Sequence, residues 1–201
     1  MRLLAVLAIL IMVLLLPLTV TAQEPETLAV ESSEVEVISN EQAYVSYLAA
    51  PAEGGTYPAI VLIHSFNGLE EGYRTMTDRL AAAGFVVLAV DWQTFEQSPS
   101  DDVMAQLLQD SAAFLSARED VDAERIGLTG FCAGGRYTML FLPQNESFKA
   151  GVAWYGFPYR GDTQPAALVG DLSSPMLIIH GTQDQAGSRS LPRKRTGILK
   201  Y

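Results

Sequence analysis

Arg125-Ile126-Gly127-Leu128-Thr129-Gly130-Phe131-Cys132-Ala133-Gly134-Gly135-Arg136-Tyr137-Thr138-Met139-Leu140 is the stretch on which the fold turns. Up to Phe131 it is a short apolar run of the kind that fills a buried strand. From Ala133 toward Leu142 it suits a helix. The junction reads Gly130-x-Cys132-x-Gly134, the cysteine form of a nucleophile elbow, with a further glycine at 135. A side chain at Gly130 or Gly134 would crowd the sharp bend that thrusts residue 132 outward. The bend also sets the thiol at the positive end of the following helix and aims the Ala133 N–H at a developing oxyanion. A lone cysteine is otherwise most often a packed, inert one. The strand before it, the glycines at −2, +2 and +3 and the helix after it favour the elbow.

Outward from this junction, the chain alternates β-rich runs with amphipathic stretches. Tyr57 to His64, Phe85 to Val90, Arg125 to Phe131, Ala150 to Tyr155 and Met176 to His180 are near-continuous apolar runs. Strands buried on both faces read this way, chiefly in parallel sheets covered by helices. Val35 to Ser39 and Tyr44 to Ala49 read as an antiparallel pair joined by Asn40-Glu41-Gln42. Tyr73, Met76, Leu80 and Ala83 recur at helical spacing, and Gly84 supplies a stop. Asp101 to Arg118 predicts a second helix capped by Ser100, with Val103, Leu107, Leu108, Phe114 and Leu115 on one side. The expected class is α/β: a doubly wound, mostly parallel sheet preceded by an antiparallel strand pair.

The ends differ from this body. Of the first 22 residues, 18 are apolar or aromatic; Arg2, the run Leu3 to Leu16 and Val20-Thr21-Ala22 describe a secretory signal cleaved after Ala22. An uncleaved membrane anchor is the alternative, and either places the body in an exported compartment, periplasmic or extracellular. Residues 23–34 carry four glutamates and no basic residue, and read as a linker. A domain is expected over 35–185, and 186–201 form a tail with five basic residues and no acid. The net charge of −10 argues against a nucleic-acid partner. One cysteine and two histidines cannot build a Cys/His zinc cluster; a site made only of carboxylates stays open, but no spacing suggests one, so no metal is expected.

Other residues complete the candidate site. Phe66 lies in the loop after the first long strand, which in hydrolases of this plan gives the second oxyanion-hole N–H. His64, at the end of that strand, reads more as a brace of the loop than as a general base. Asp184, just past the last strand in His180-Gly181-Thr182-Gln183-Asp184, reads as the acid that orients a catalytic histidine, against a plain solvated turn residue.

With these residues in view, the sequence resembles the dienelactone hydrolase family of α/β-hydrolases. The resemblance is carried by Ala59 to Tyr73, Gly84 to Trp92, Arg125 to Gly135, Trp154-Tyr155-Gly156 and Pro175 to Asp184. It implies hydrolysis of a small-molecule ester or lactone through an acyl-cysteine intermediate, without cofactor. Cys132 is then the nucleophile and Asp184 the acid. Three departures stand out: Ser65 occupies the place of a family glutamate, Trp92-Gln93-Thr94-Phe95 lacks a family arginine, and no histidine follows His180. With the charge reversal at 186, the last departure leads us to expect a truncated or frameshifted frame lacking the final strand and helix, and hence an impaired triad. A natural basic tail is the alternative. A non-catalytic binding or scaffold protein on the hydrolase fold is the rival function.

Overall fold

The structure is a computed structural model that describes residues 27–184. The expectations for the signal segment, the whole basic tail and residues 23–26 of the linker lie outside the described residues.

Among the described residues seven strands form one mixed sheet in the order β1-β2-β4-β3-β5-β6-β7. They are β1 Val30–Ser39, β2 Gln42–Pro51, β3 Tyr57–Ile63, β4 Val86–Val90, β5 Val121–Phe131, β6 Ala150–Trp154 and β7 Met176–Ile179. The first two strands and the β2/β4 contact are antiparallel, and from β4 onward every neighbouring pair is parallel. The β1/β2 hairpin closes on Asn40 and Glu41, both at positive φ (48° and 61°), with Ser39 opposite Gln42. Two left-handed residues match the twist of the flanking strands. β1 starts at Val30, so residues 30–34, read from the sequence as linker, are strand. All but Val30 are exposed, which removed the alternation that marks a half-buried strand.

Among the described residues three helices cover the sheet: α1 Glu71–Ala82, α2 Asp101–Ser116 and α3 Ala133–Phe141. Ser100 caps α2, its side chain accepting from Val103 N–H at 3.3 Å. The buried side of α2 runs through Met104, Leu107, Leu108, Ser111, Ala112 and Leu115. Val103 and Phe114, expected inward, are only half-buried, because Met104 lies nearer the centre of the helix face that meets the sheet. Gly84 ends the α1 turn at φ 93°, its N–H on Ala81 O at 2.9 Å.

Strand residues alternate between two cores. Ala59, Val61, Ile63, Val86, Leu88 and Val90 join α2 and α3 on one face. Leu62, Val87, Ala89 and Phe131 meet Tyr73, Met76 and Leu80 of α1 on the other. The apolar runs are continuous because both faces are covered. Parallel order also brings the carboxyl ends of β3 to β7 to one edge, and there the loops bearing His64, Asp91, Cys132, Tyr155 and His180 gather.

Candidate active site

Cys132 sits at φ 56° and ψ −108°, between the end of β5 and the first residue of α3. Such a backbone is costly for a residue with a Cβ and persists only where neighbours enforce it. They do so here. The Cys132 N–H donates to Trp154 O at 3.0 Å, and the Arg136 N–H returns to Cys132 O at 3.1 Å. A Cβ on Gly130 would run into Gly134 O, and one on Gly134 would run into Ile63 O and lie 2.8 Å from His64 O. The flanking glycines therefore let strand, bend and helix close together beside the end of β3. Cys132 is half-buried with a free thiol, not walled into either core.

The loop after β3 stands beside it, braced from the β4 side. His64 is fully buried and stacked on Trp92, with ring centroids 5.1 Å apart. Its Nδ1–H donates to Ser65 O at 2.6 Å, and its Nε2 lies 3.2 Å from Asp91 Oδ1. Trp92 Nε1–H donates to His64 O at 3.2 Å, and Gln93 Nε2–H donates to Phe66 O at 3.2 Å. The hydrogen bond from His64 holds the Asp91 carboxyl below the usual carboxylate range, against the opposing effect of burial. His64 is thus the loop brace that the sequence suggested. Phe66 is 44% exposed, and the amides of Phe66 and Ala133 have no hydrogen-bond partner among the described residues. Those two N–H groups are the donors the sequence pointed to for an oxyanion.

Asp184 N–H donates to Gly181 O at 3.1 Å, and its Oδ2 lies 3.5 Å from His180 Nε2. The acid is therefore placed at the carboxyl edge, with a histidine within ion-pair reach.

Three residues were missed in the sequence. Arg136, on the first turns of α3, makes a two-pronged bond to Asp101 at 2.8 Å per arm and donates to Arg160 O and Thr163 O. Tyr73 accepts the Ser65 N–H on its Oη at 3.2 Å. Tyr155 follows β6 at φ 40°, its N–H on Ile179 O at 2.7 Å. The available signal for Tyr155 was its position at the carboxyl end of a parallel strand, the same one that marked Asp184.

Among the described residues no group of three His, Cys, Asp or Glu side chains is arranged to hold a metal, and no helix is long and apolar enough to cross a membrane.

A glycine-bounded, positive-φ bend between strand and helix, on a mostly parallel sheet covered on both faces, is the arrangement of an α/β-hydrolase. The family model for the dienelactone hydrolase family matches residues 45–196. The chain belongs to that family. It is 33% identical to a candidate carboxymethylenebutenolidase of Methylorubrum extorquens, over 77% of this chain and 60% of that one. A protein of the same description from Salmonella typhimurium is 31% identical, over 77% of this chain and 64% of its own. The chain thus spans less than two thirds of the length of these relatives. Among solved structures, one described as a candidate dienelactone hydrolase from Klebsiella pneumoniae superposes with a TM-score of 0.68 at 26% identity, covering 75% of this chain and 72% of that one.

Proposed function

We propose that the protein hydrolyses small carboxylic esters or lactones, with Cys132 as nucleophile. The observation that carries this is the positive-φ bend at Cys132, closed by Gly130 and Gly134, within the segment that the family model matches. The Cys132 sulfur adds to the substrate carbonyl carbon, and the carbonyl electron pair moves onto oxygen, received by the Phe66 and Ala133 N–H groups. Collapse of the tetrahedral intermediate breaks the C–O bond; the leaving oxygen takes a proton, and in a lactone it stays tethered to the acyl group. Water then adds to the thioester, the C–S bond breaks, and the acid departs as the thiol is restored.

Asp184 is the acid of this scheme, on which a proton-carrying histidine would be oriented, and no histidine follows His180 in the sequence to fill that part. His64 is not that histidine, since both its ring nitrogens are spent on Ser65 O and Asp91. A carboxylated lactone is the less suited substrate, because Trp92, Gln93, Thr94 and Phe95 follow β4 with no arginine among them to hold a carboxylate. An exported location remains part of the proposal, on the strength of Arg2 and the apolar run behind it.

The test is hydrolysis of p-nitrophenyl acetate and of dihydrocoumarin by the full chain and by Cys132→Ala, with mass spectrometry of the peptide bearing residue 132. Turnover confined to the parent, and an acetyl adduct on Cys132, are expected. Equal turnover by Cys132→Ala would sink the mechanism.

A further inference from the structure

Three consecutive peptide groups, from His64 O to Asn67 N–H, present six backbone donors and acceptors in the loop after β3, and five of them are taken. His64 O accepts from Trp92 Nε1–H at 3.2 Å, and Ser65 N–H donates to Tyr73 Oη at 3.2 Å. Ser65 O accepts from His64 Nδ1–H at 2.6 Å and, more weakly, from Gly68 N–H at 3.4 Å. Phe66 O accepts from Gln93 Nε2–H at 3.2 Å, and Asn67 N–H donates to Ser65 Oγ at 3.3 Å. The sixth group, Phe66 N–H, has no partner among the described residues. It shares one planar peptide with Ser65 O, so the bond that holds the oxygen also sets the direction of the N–H.

The side chain on that oxygen is His64, which is fully buried. A carbonyl oxygen only accepts, so Nδ1 carries a proton. The other ring nitrogen lies 3.2 Å from Asp91 Oδ1, and Gln93 N–H donates to the same oxygen at 3.2 Å. The hydrogen bond from His64, against the effect of burial, lowers the Asp91 carboxyl from its ordinary value of 3.8. Asp91 is therefore an ionised acceptor at neutral pH, and Nε2 needs a proton as well. Two acceptors on two ring nitrogens describe an imidazolium, and pairing with a carboxylate is what lets a buried cation persist. The ring is otherwise faced by Trp92, stacked at 5.1 Å, and by Tyr73 of α1, tilted at 6.1 Å, while Arg74 of α1 acts on Asp91.

We propose that His64 is a positioning residue of the oxyanion hole: as an imidazolium held by Asp91, it fixes the Ser65–Phe66 peptide by its carbonyl and makes the Phe66 N–H a stronger donor. This rests on the hydrolase reading, in which that N–H receives the substrate oxygen. Being fully buried, the ring acts through the peptide and does not itself meet the substrate. Its charge-assisted bond draws electron density toward Ser65 O and leaves the N–H of the same amide more positive, as along any chain of hydrogen bonds. Ser65 adds the hydroxyl that closes the turn on Asn67 N–H.

Nitrogen NMR of the full chain carrying labelled histidine reads the ring protons directly, and His180→Gln, which leaves His64 as the sole histidine, assigns its signals. At about pH 7.5 both His64 nitrogens are expected to carry a proton in the parent, and Nδ1 alone in Asp91→Asn, whose amide then donates to Nε2. Thermal unfolding checks that Asp91→Asn keeps the fold. Its kcat for p-nitrophenyl acetate is expected to fall about five- to tenfold with KM unchanged, the difference between a charged and a neutral hydrogen bond felt in the transition state. A single ring proton on His64 in the parent would overturn the imidazolium whatever the turnover. Two ring protons with an unchanged kcat in folded Asp91→Asn would overturn its part in the reaction. Turnover kept by Cys132→Ala removes the nucleophile, and the oxyanion role with it, while the ring signals stay doubly protonated, so the two failures are told apart.

Discussion

A glycine can be present for its backbone freedom or for want of room, and the bend at residue 132 shows the second case. The atoms that a Cβ on Gly134 would meet are the carbonyl groups of Ile63 and His64, which belong to β3 and its exit and cannot rotate aside. Gly134→Ala should therefore cost about 2–4 kcal/mol or prevent folding, measured as the loss in urea-unfolding free energy. Gly72→Ala is the control. Nothing lies within 4 Å of its added Cβ, and it sits in α1, so stability should hold or rise by up to about 1 kcal/mol. A second residue-scale effect lies in acid. His64 lowers the Asp91 carboxyl in the folded state, so Asp91 stabilises the fold fully above its ordinary value of 3.8 and progressively less as pH falls toward its folded value. Unfolding free energies measured from about pH 5 to pH 3 should fall more steeply in the parent than in Asp91→Asn. Cys132 was legible because the bend dictates the residue types around it. Tyr73 was not, because a tyrosine on the apolar face of a helix reads as packing until the far end of its ring is seen on Ser65 N–H.

At the level of elements, α2 and α3 are joined at their amino ends by one ion pair. Arg136 is nearly buried, and it holds Asp101 at the start of α2 while donating to two carbonyls of the segment after β6. Removing the guanidinium leaves Asp101 unpaired and both carbonyls short of a donor. Arg136→Met should cost about 2–3 kcal/mol in denaturant unfolding. The Arg118–Asp120 pair, with both side chains about a third exposed, should cost under about 1 kcal/mol on the same change. Strands β3, β4 and β6 were readable because burial on both faces left no polar residue to break their runs. The first half of β1 was not, since an edge strand that keeps Glu31, Ser32, Ser33 and Glu34 in water shows composition typical of a loop. Its pairing with β2 is set by the register from Val30 opposite Pro51 to Ser39 opposite Gln42, a long-range fact that no local window contains. The Arg136–Asp101 contact spans 35 residues and was hidden for the same reason.

Across the whole molecule the sheet is the shared wall of two cores, and the chain carries one tryptophan in contact with each. Trp92 is buried with α2 and α3 on one face, and Trp154 packs beside Phe131 on the face that α1 covers. β3 and β4 send alternate side chains into both cores, Ile63 and Val90 to one, Leu62 and Ala89 to the other. Neither face can then lose its packing without disturbing the strands that support the other, so the described body should unfold as one cooperative unit. Trp92→Phe and Trp154→Phe each leave a single fluorescent reporter, on opposite faces. In urea the fluorescence midpoint of each variant should coincide with its own far-UV circular dichroism midpoint, although the two variants differ in absolute stability. Trp92→Phe should be the less stable, because Trp92 is fully buried between His64 and Tyr137 and its Nε1–H holds the loop after β3 through His64 O. A Trp154 signal that moved at lower urea than the dichroism would mean that the α1 face melts first. Since Tyr73 reaches the Ser65 amide from that face, such melting would release the loop beside Cys132 before the rest of the sheet gave way.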